Sequence, residues 1–507
     1  MALPYVKVNV GEETLVSANS IIPFVPAILM KTKSGPIGTI EQITSEAQFV
    51  KLFGQSDETT PSAYAIQTYL RTYAYVLVTR LANESQAAEG SGKVSFEMSS
   101  KNHALISAKT NYKTDLFNLK EVKLVYDSNT NKIWLDVSSI VGKNAISIKE
   151  DIIVDSLKAA EYNESGTLTG GLEYILNRLV SSINAMNLGV TLTNEFTNKT
   201  TEDSIPSVEQ FNQGFTLTIS GGDCGNETDL SASQVNAYID AYDSQDNTLD
   251  VMIIPEYTNY EVVNHASALA EKNNFVLLVA PGGESVSALT QKIANYNNTD
   301  RGSLALYYPN VKYSGFNAVI PASIAALHCY AKSDNQAKWS APAGISRGTL
   351  NLVSSLEVNL TTYDMEALYD SDKPVNCINN ISGRGFVIWG NKTTSAQSAF
   401  FDRLNVSRLV KYVTKEIYDI SYSYLFEPIT STTFSSWVLK VEALLNDIQA
   451  NSGLEAYQVT MDSTINTPAT IAANQLNGIV KIKPYEVAEF ITIDFTATDT
   501  ITLSVEE

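Results

Sequence analysis

Alternating apolar and polar positions mark both ends of the chain as strand-forming. The first such segment is YVKVNV and the last is TITLSVEE. Period-2 alternation places Val6, Val8 and Val10 on one face of the first segment and Ile501, Leu503 and Val505 on one face of the last. A terminal strand of this kind is marginal alone and has unpaired backbone N–H and C=O groups. Both ends are therefore predicted to pair with another strand.

The segment after the first strand is predicted to be mixed in secondary structure. A buried strand is expected in IIPFVPAILM, before a turn at Gly35 and Pro36, and a second strand is expected in YVLVTRL. Between them, EAQFVKLFG and SAYAIQTYLRTY have the pattern of short helices. From Ala82 to about Gln213 the runs become short and alternating, as in KLVYD and KIWLDV, with one helical stretch, GLEYILNRLVSSINAM. This region is predicted to be an inserted, β-rich module.

Strands and helices alternate after Phe215. The order is FTLTIS, then a helical QVNAYIDAY, a buried LDVMIIPEY, a helical NHASALAEKN, a buried FVLLVAPGG, another helix and SLALYYP. Strands that alternate with helices predict βαβ units and a mainly parallel sheet.

Beyond Gln397 the chain is predicted to be helical and then to return to strands. The apolar face of the first helix consists of Phe401, Leu404, Leu409, Val413, Ile417 and Ile420, with Arg403, Arg408 and Lys411 predicted to lie largely outside it. A second helix is predicted to begin near Ser431 to Thr433 and to stop at Gly453, burying Trp437, Val441, Leu444, Leu445 and Ile448. VKIKP and EFITIDF are the strands expected after it.

Length and charge narrow the class of protein. A chain of 507 residues, 44% of them hydrophobic, is expected to form two or more domains. Its 35 Lys and Arg against 55 Asp and Glu give a net charge of −20, which disfavours nucleic acid and anionic lipid as partners. The longest apolar runs are too short to span a membrane, and the N-terminus lacks the pattern of a cleaved signal.

Little in the sequence predicts catalysis, a metal or a cofactor. Cys224, Cys329 and Cys377 lack metal-site spacing, and the three histidines, His103, His265 and His328, are dispersed. If His328 and Cys329 lie in a strand, their side chains point to opposite faces and cannot share a proton. The glycine-rich SGGDCG lacks the Lys-Ser/Thr of a phosphate-binding loop, and a structural turn is favoured.

Five separated motifs resemble contractile tail sheath proteins, in the order of that family. They are KTKSGPIGTIEQITSEAQFVKLFG, TISGGDCG, VIPASIAALHCYAKSDNQAKWSAPAG, GRGFVIWGNKTTSA and NTPATIAANQLNGIVKIKPYEVAEFITIDF. The residues that fall on the family's pattern and are predicted to lie in its core include Gly35, Pro36, Gly221, Gly222, Pro321, Asp334, Trp339, Pro342, Trp389, Gly390, Pro484, Glu489 and Phe490. Lys332 stands where arginine is commoner, and no glycine precedes Trp339.

The resemblance implies a multidomain α/β (mixed α+β) subunit whose βαβ-type core is built from separated chain segments. The expected divisions are an N-terminal arm at 1–20, core at 21–81, an inserted outer module at 82–213, α/β core at 214–396, a helical and β domain at 397–498, and a C-terminal arm at 499–507. The arms, through the valines of the first and the Ile501, Leu503 and Val505 face of the last, are expected to contact neighbouring subunits.

The same resemblance implies a structural, non-enzymatic function without cofactors. Sheath subunits form stacked six-membered rings around a tail tube, so the expected partners are further copies, the tube protein, and baseplate and tail terminator proteins. The expected location is the virion, after assembly in the host cytoplasm. Two other classes remain open: a non-contractile shell or surface-layer protein and an extracellular hydrolase.

Overall fold

The computed structural model describes residues 24–98, 101–127, 129–130, 132–141, 152–153, 161–165, 168–197, 206–226, 229–244, 248–395 and 400–489. Within these ranges the chain forms two compact units. The first consists of the chain up to Gln336 together with Pro342–Arg408. The second consists of Ala337–Ala341 and the chain from Leu409 onward.

Twenty-one strands are described. They are β1 Pro26–Met30, β2 Ile40–Ile43, β3 Val76–Arg80, β4 Glu89–Met98, β5 Lys101–Lys113, β6 Glu121–Asp127, β7 Lys132–Asp136, β8 Ile152–Ile153, β9 Glu161–Tyr162, β10 Leu168–Gly170, β11 Val190–Asn194, β12 Phe215–Thr218, β13 Val251–Ile253, β14 Val276–Val279, β15 Leu304–Tyr308, β16 Val311–Tyr313, β17 Val353–Leu356, β18 Val375–Ile381, β19 Gly385–Trp389, β20 Leu454–Thr460 and β21 Ile479–Pro484.

The described helices are α1 Glu46–Phe53, α2 Pro61–Tyr69, α3 Ser138–Val141, α4 Gly171–Ala185, α5 Val208–Gln213, α6 Ala232–Asp240, α7 Tyr260–Lys272, α8 Val286–Ile293, α9 Ala322–Asp334, α10 Gly344–Arg347, α11 Thr362–Tyr369, α12 Leu404–Tyr422, α13 Ser431–Ala450 and α14 Pro468–Ala472. A 3₁₀ helix follows α6 at Ala241–Ser244.

An eight-stranded sheet organises the first unit, in the order β19-β18-β15-β14-β13-β1-β3-β2. The six inner strands are parallel, and the two edge strands run antiparallel to their neighbours. Strand β1 lies between β13 and β3, with Ile28 opposite Ile253 on one side and Val78 on the other. The predicted parallel sheet is confirmed, and its first strands come from the N-terminal part of the core.

Helices cover both faces of this sheet, because its strands carry apolar residues on both sides. One core layer includes Phe49 and Phe53 of α1 and Ile324 of α9. The opposite layer includes Val235 of α6 and Val262 of α7. The predicted short helices at EAQFVKLFG and SAYAIQTYLRTY are confirmed as α1 and α2.

The inserted module has antiparallel sheets and a hydrophobic core of its own. Its sheets have the orders β11-β5-β4 and β12-β6-β7-β8. Helix α4, predicted from GLEYILNRLVSSINAM, buries Leu172, Leu176 and Leu179 in the core between them. Strand β12, expected in the parallel core that begins at 214, pairs with β6 instead, with Phe215 opposite Leu124. The module's sheet therefore extends beyond Gln213.

The interpretation of His328 and Cys329 as strand residues is wrong, because both belong to helix α9. Four small residues before them, Ala322, Ser323, Ala325 and Ala326, are fully buried. A helix with such a small cross-section can pack closely beneath the sheet. An apolar stretch of this length does not by itself distinguish a buried helix from a buried strand.

The second unit has one hydrophobic core, formed by α12 from Leu409 onward, α13, β20 and β21. Helix α13 begins where predicted: Thr430 caps it by accepting a hydrogen bond from the backbone N–H of Thr433 at 3.2 Å. Trp437, Val441, Leu444, Leu445 and Ile448 are buried as predicted. The prediction that Arg408 and Lys411 lie outside the buried face of α12 is wrong, since they are 8% and 5% exposed.

Candidate assembly site

Strands β20 and β21 form a two-stranded sheet in the second unit, and no third strand joins it within the described residues. The pairing runs from Leu454 opposite Pro484 to Thr460 opposite Ile479. A two-stranded sheet is marginally stable alone, and each outer edge has backbone groups that can pair with a further strand. Both edges are therefore candidate sites for strand addition.

One face of this small sheet is anchored in the core, and the other is polar. Leu454 and Val480 are fully buried with the residues of α13. Lys481 and Lys483 alternate with them on the exposed side, and Lys483 pairs with Glu455 at 2.7 Å. Fixed alternation of this kind sets the register of an added strand, because a shift of one residue would reverse its faces.

Trp339, the tryptophan of the third sequence motif, belongs to the second unit. Its indole Nε1 donates to the carbonyl oxygen of Asn451 at 3.2 Å, and its ring lies 6.3 Å from that of Tyr412. A Cβ atom on Gly453 would come within 2.8 Å of the indole, so the ring lies directly against this backbone. Trp339 thus fixes the end of α13 and the start of β20.

Asp334 and Arg408 form a buried ion pair inside the first unit. Their side chains are only 3% and 7% exposed, and Arg408 Nη2 donates to Asp334 Oδ1. The guanidinium also lies 4.9 Å from the ring centre of Tyr330, whose hydroxyl contacts that of Tyr307 at 2.9 Å. Asp334 of the sequence motif therefore ties the end of α9 to the start of α12.

The Gly-Pro turn of the first motif has a packing function. Gly35 has φ +100°, and a Cβ atom there would lie 2.6 Å from a ring carbon of Phe53. The backbone N–H of Ser34 donates to the Phe53 carbonyl at 3.0 Å. The glycine turn and the Phe53-Gly54 pair of this motif are therefore packed against each other.

The glycine-rich turn of the second motif is occupied by the chain itself. Gly222 donates its N–H to Asn118 Oδ1 at 3.0 Å, and its carbonyl accepts from Asn118 Nδ2 at 2.7 Å. A Cβ atom on Gly222 would come 2.0 Å from the carbonyl oxygen of Thr114. The backbone groups that a phosphate would need are thus engaged with the inserted module.

The remaining residues of the motifs are dispersed, and Trp389 is exposed. Pro321 precedes the first residue of α9, Pro342 follows the Trp339 segment, and Pro484 ends β21. Trp389 ends edge strand β19 and is 51% exposed, so it is not in the hydrophobic core. The next residue, Gly390, lies close to Asn376, because a Cβ atom on Gly390 would contact it. The predicted arm residues and Phe490 lie outside the described residues. Glu489 is the last residue that the structure describes.

The acid-base groups of the described chain do not form a recognisable catalytic centre. Burial lowers the pKa of His328 to about 4, and the rings of Tyr69 and Tyr73 lie 5.3 and 6.0 Å from its imidazole. Burial raises the pKa of the adjacent Cys329 to about 12, which makes its thiol unreactive. In the described ranges, no three His, Cys, Asp or Glu residues are grouped to hold a metal ion, and no helix has the length and hydropathy to cross a membrane.

Comparison with known proteins identifies both the C-terminal domain and the fold. Residues 396–498 match the family model of the phage tail sheath C-terminal domain. The tail sheath protein of Vibrio phage KVP40 is 35% identical over 195 residues, which cover 38% of this chain and 29% of that protein. The sheath tail protein of Desulfitobacterium hafniense has a similar fold, with a TM-score of 0.58 at 10% identity over 91% of this chain and 94% of that chain.

A second solved structure with this fold is the contracted PVC sheath complex of an extracellular contractile injection system. Its TM-score is 0.54 at 14% identity, and the match covers 98% of each chain. The fold of the chain is therefore that of solved sheath proteins, and its C-terminal domain is similar to the phage tail sheath C-terminal domain. The resemblance predicted from the five motifs is thus supported over part of the chain, by the family model at residues 396–498 and by curated tail sheath proteins. The matching stretch spans less than a third of the KVP40 protein.

Proposed function

We propose that the chain is the structural subunit of a contractile tail sheath. It polymerises as stacked hexameric rings around a tail tube and contracts irreversibly, driving the tube through the envelope of a target cell. The observation that carries this proposal is the β20–β21 sheet. One of its faces packs on the hydrophobic core, and neither of its edges pairs with another strand within the described residues. A chain with strand-forming segments at both ends has the complementary parts.

Strand addition suits a machine whose subunits must move without separating. Each backbone hydrogen bond in an added strand contributes a net ~0.5 to 1.5 kcal/mol, and burial of the apolar face adds to this. An arm from a neighbouring copy could therefore remain paired while the bodies of the subunits change position. The N-terminal arm at 1–20 and the C-terminal arm at 499–507 are the proposed donors.

Contraction is proposed to release free energy stored in the extended assembly, without nucleotide and without enzymatic activity. The extended form is a kinetically held packing, and repacking of surfaces between rings releases its free energy. The net charge of −20 places like charges near one another in any assembly of many copies, which raises the energy of close packing at low salt.

The proposed partners are further copies of the chain, the tube protein, and the baseplate and tail terminator proteins, with the virion as the location. Core at 21–81 and 214–396, an outer module at 82–213 and a C-terminal domain at 397–498 are the proposed divisions. The acidic charge argues against nucleic acid as a direct partner.

Replacing the apolar face of the N-terminal arm is expected to abolish polymerisation. The variant Val6→Asp, Val8→Asp, Val10→Asp places charges where a paired strand needs an apolar face. Electron microscopy should show tubes for the unaltered protein and none for this variant. Circular dichroism should be the same for both, because the three positions lie outside the described residues that form the hydrophobic cores.

The matched control changes the opposite face of the same arm, as Lys7→Ala with Asn9→Ala, and should still form tubes. Ordered tubes from the triple aspartate variant would refute the role of the arm. Sheets or closed shells from the unaltered protein would instead favour a non-contractile shell or surface-layer protein. A monomer that cleaves a polysaccharide or peptide would favour a hydrolase.

A further inference from the structure

The connection between β5 and β6 fastens the inserted module to the sheath core. Thr114 donates its hydroxyl to the carbonyl oxygen of Lys33, just after β1, at 2.8 Å. Asn118 makes its two hydrogen bonds with the backbone of Gly222. The module therefore lies against the carboxyl edge of the parallel sheet, the edge at which many sheets of this type bind ligands.

Arg80 lies at the centre of this contact. It is the last residue of β3, and none of its surface is exposed. Its Nη1 donates to the carbonyl oxygens of Gly35 at 2.6 Å and Lys113 at 2.9 Å, and its Nη2 donates to that of Cys224 at 2.7 Å. One planar guanidinium thus joins the turn after β1, the end of β5 in the module, and the turn by which the chain leaves the module.

Burial of the Arg80 guanidinium costs desolvation free energy, as its lowered pKa indicates. Burial lowers the pKa of Arg80 to about 10, so the side chain remains charged at neutral pH. The nearby Asp115 favours the charged form, while the three hydrogen-bond acceptors are neutral carbonyls. Hydrogen bonds offset the cost of burying a charge, and the guanidinium of Arg80 reaches three acceptors in a fixed plane, while its Nε–H is buried without one.

We propose that Arg80 is the positioning residue that fixes the inserted module on the sheath core. The three carbonyls belong to chain segments that are distant in sequence, so Arg80 determines how the module is oriented relative to the parallel sheet. The module has a hydrophobic core of its own, and loss of this joint should loosen the orientation without unfolding either part. This inference is independent of whether the protein contracts.

Arg80→Met is expected to loosen the joint locally. The apolar side chain has a similar length but leaves the three carbonyls without their donor. Hydrogen exchange followed by mass spectrometry on the full chain should show at least a tenfold faster exchange in residues 113–118 and 220–225. Peptides from α4 and from β14 should change less than twofold. Arg178→Met, at an exposed arginine on α4, is the matched control and should change nothing.

Equal acceleration in the joint, α4 and β14 would mean that Arg80 serves general stability, and this would overturn the proposal. No acceleration in the joint would overturn it as well. If Arg80→Met does not fold, Asn118→Ala removes two hydrogen bonds from the same contact without leaving a charge unsatisfied. Faster exchange confined to residues 113–118 and 220–225 is then the expected result, and any uniform or absent effect contradicts the proposal.

Discussion

Arg408→Met is expected to destabilise the first unit by about 3 to 5 kcal/mol, because it removes the arginine that is paired with the buried Asp334 carboxylate. The pair is nearly inaccessible to water, with 7% and 3% of the two side chains exposed. The substitution also removes the guanidinium from the face of Tyr330. Urea denaturation of the purified protein, followed by fluorescence, should show the midpoint of the corresponding transition shifted to lower urea.

The matched control is Arg71→Met, which removes an arginine from an exposed ion pair. Arg71 Nη2 lies 2.7 Å from Glu46 Oε1, and the two side chains are 49% and 33% exposed. Pairs of this kind contribute about 0 to 1 kcal/mol. The double variant Asp334→Leu, Arg408→Met should recover most of the lost stability, because it removes both charges of the buried pair together. If Arg408→Met lowers the free energy of unfolding no more than Arg71→Met does, the Asp334–Arg408 pair is not a strong contributor to stability.

The local elements of the fold follow closely from the sequence. Short sequence patterns predict buried strands and capped helices well. Apolar runs and cap residues place the following elements correctly: β13, β14, β15, α7 and α13. The alternation of these elements also predicts a parallel sheet correctly. Such patterns report which face of an element is apolar, and this is sufficient for elements that pack in the ordinary way.

The long-range arrangement does not follow from local patterns. The pattern of FTLTIS predicts a strand, but nothing in it indicates that β12 pairs with β6 of the module. The apolar stripe of α12 predicts one buried face, yet the burial of Arg408 depends on Asp334, which is 74 positions earlier in the chain. Trp389 has a large aromatic side chain of the kind expected in a hydrophobic core. It is exposed because it ends an edge strand.

The candidate assembly site is predicted in part. Residues at the chain ends carry a visible period-2 pattern, and VKIKP predicts β21 directly. The acceptor property of the β20–β21 sheet depends on its having no third strand among the described residues, and no sequence pattern encodes that. Arg80 gives only a weak signal, as a charged residue at the end of the apolar run YVLVTRL.

A second buried acid determines how stability depends on pH. Glu256 follows β13 and lies beside Lys31, which follows the adjacent strand β1, and the hydroxyl of Ser62 lies near its carboxyl group. The carboxyl oxygen Oε2 is buried, although the residue as a whole keeps some exposure. Burial raises the pKa of Glu256 from 4.5 to about 7, and the nearby polar groups and Lys31 only partly oppose this.

Glu256→Gln is therefore expected to stabilise the protein at high pH and to have little effect at low pH. Below pH 4.5 the carboxyl group is protonated in both the folded and the unfolded chain, so its titration does not change the free energy of unfolding. Between pH 4.5 and about 7 only the folded chain keeps the proton, and the free energy of unfolding falls by about 3 kcal/mol as the pH rises. Glutamine cannot ionise, so at pH 8 the variant should be more stable by up to this amount.

Urea denaturation at pH 4.5, 6 and 8 measures the effect, with Glu366→Gln, at an exposed position on α11, as the control. The control variant should follow the pH dependence of the unaltered protein at all three values. The Glu256→Gln curve should diverge from it progressively, because over this range the unfolded form of the unaltered chain loses the Glu256 proton while the folded form keeps it until about pH 7. A constant difference between Glu256→Gln and the unaltered protein across this range would mean that Glu256 ionises normally in the fold, and that burial beside β1 and β13 does not shift its titration.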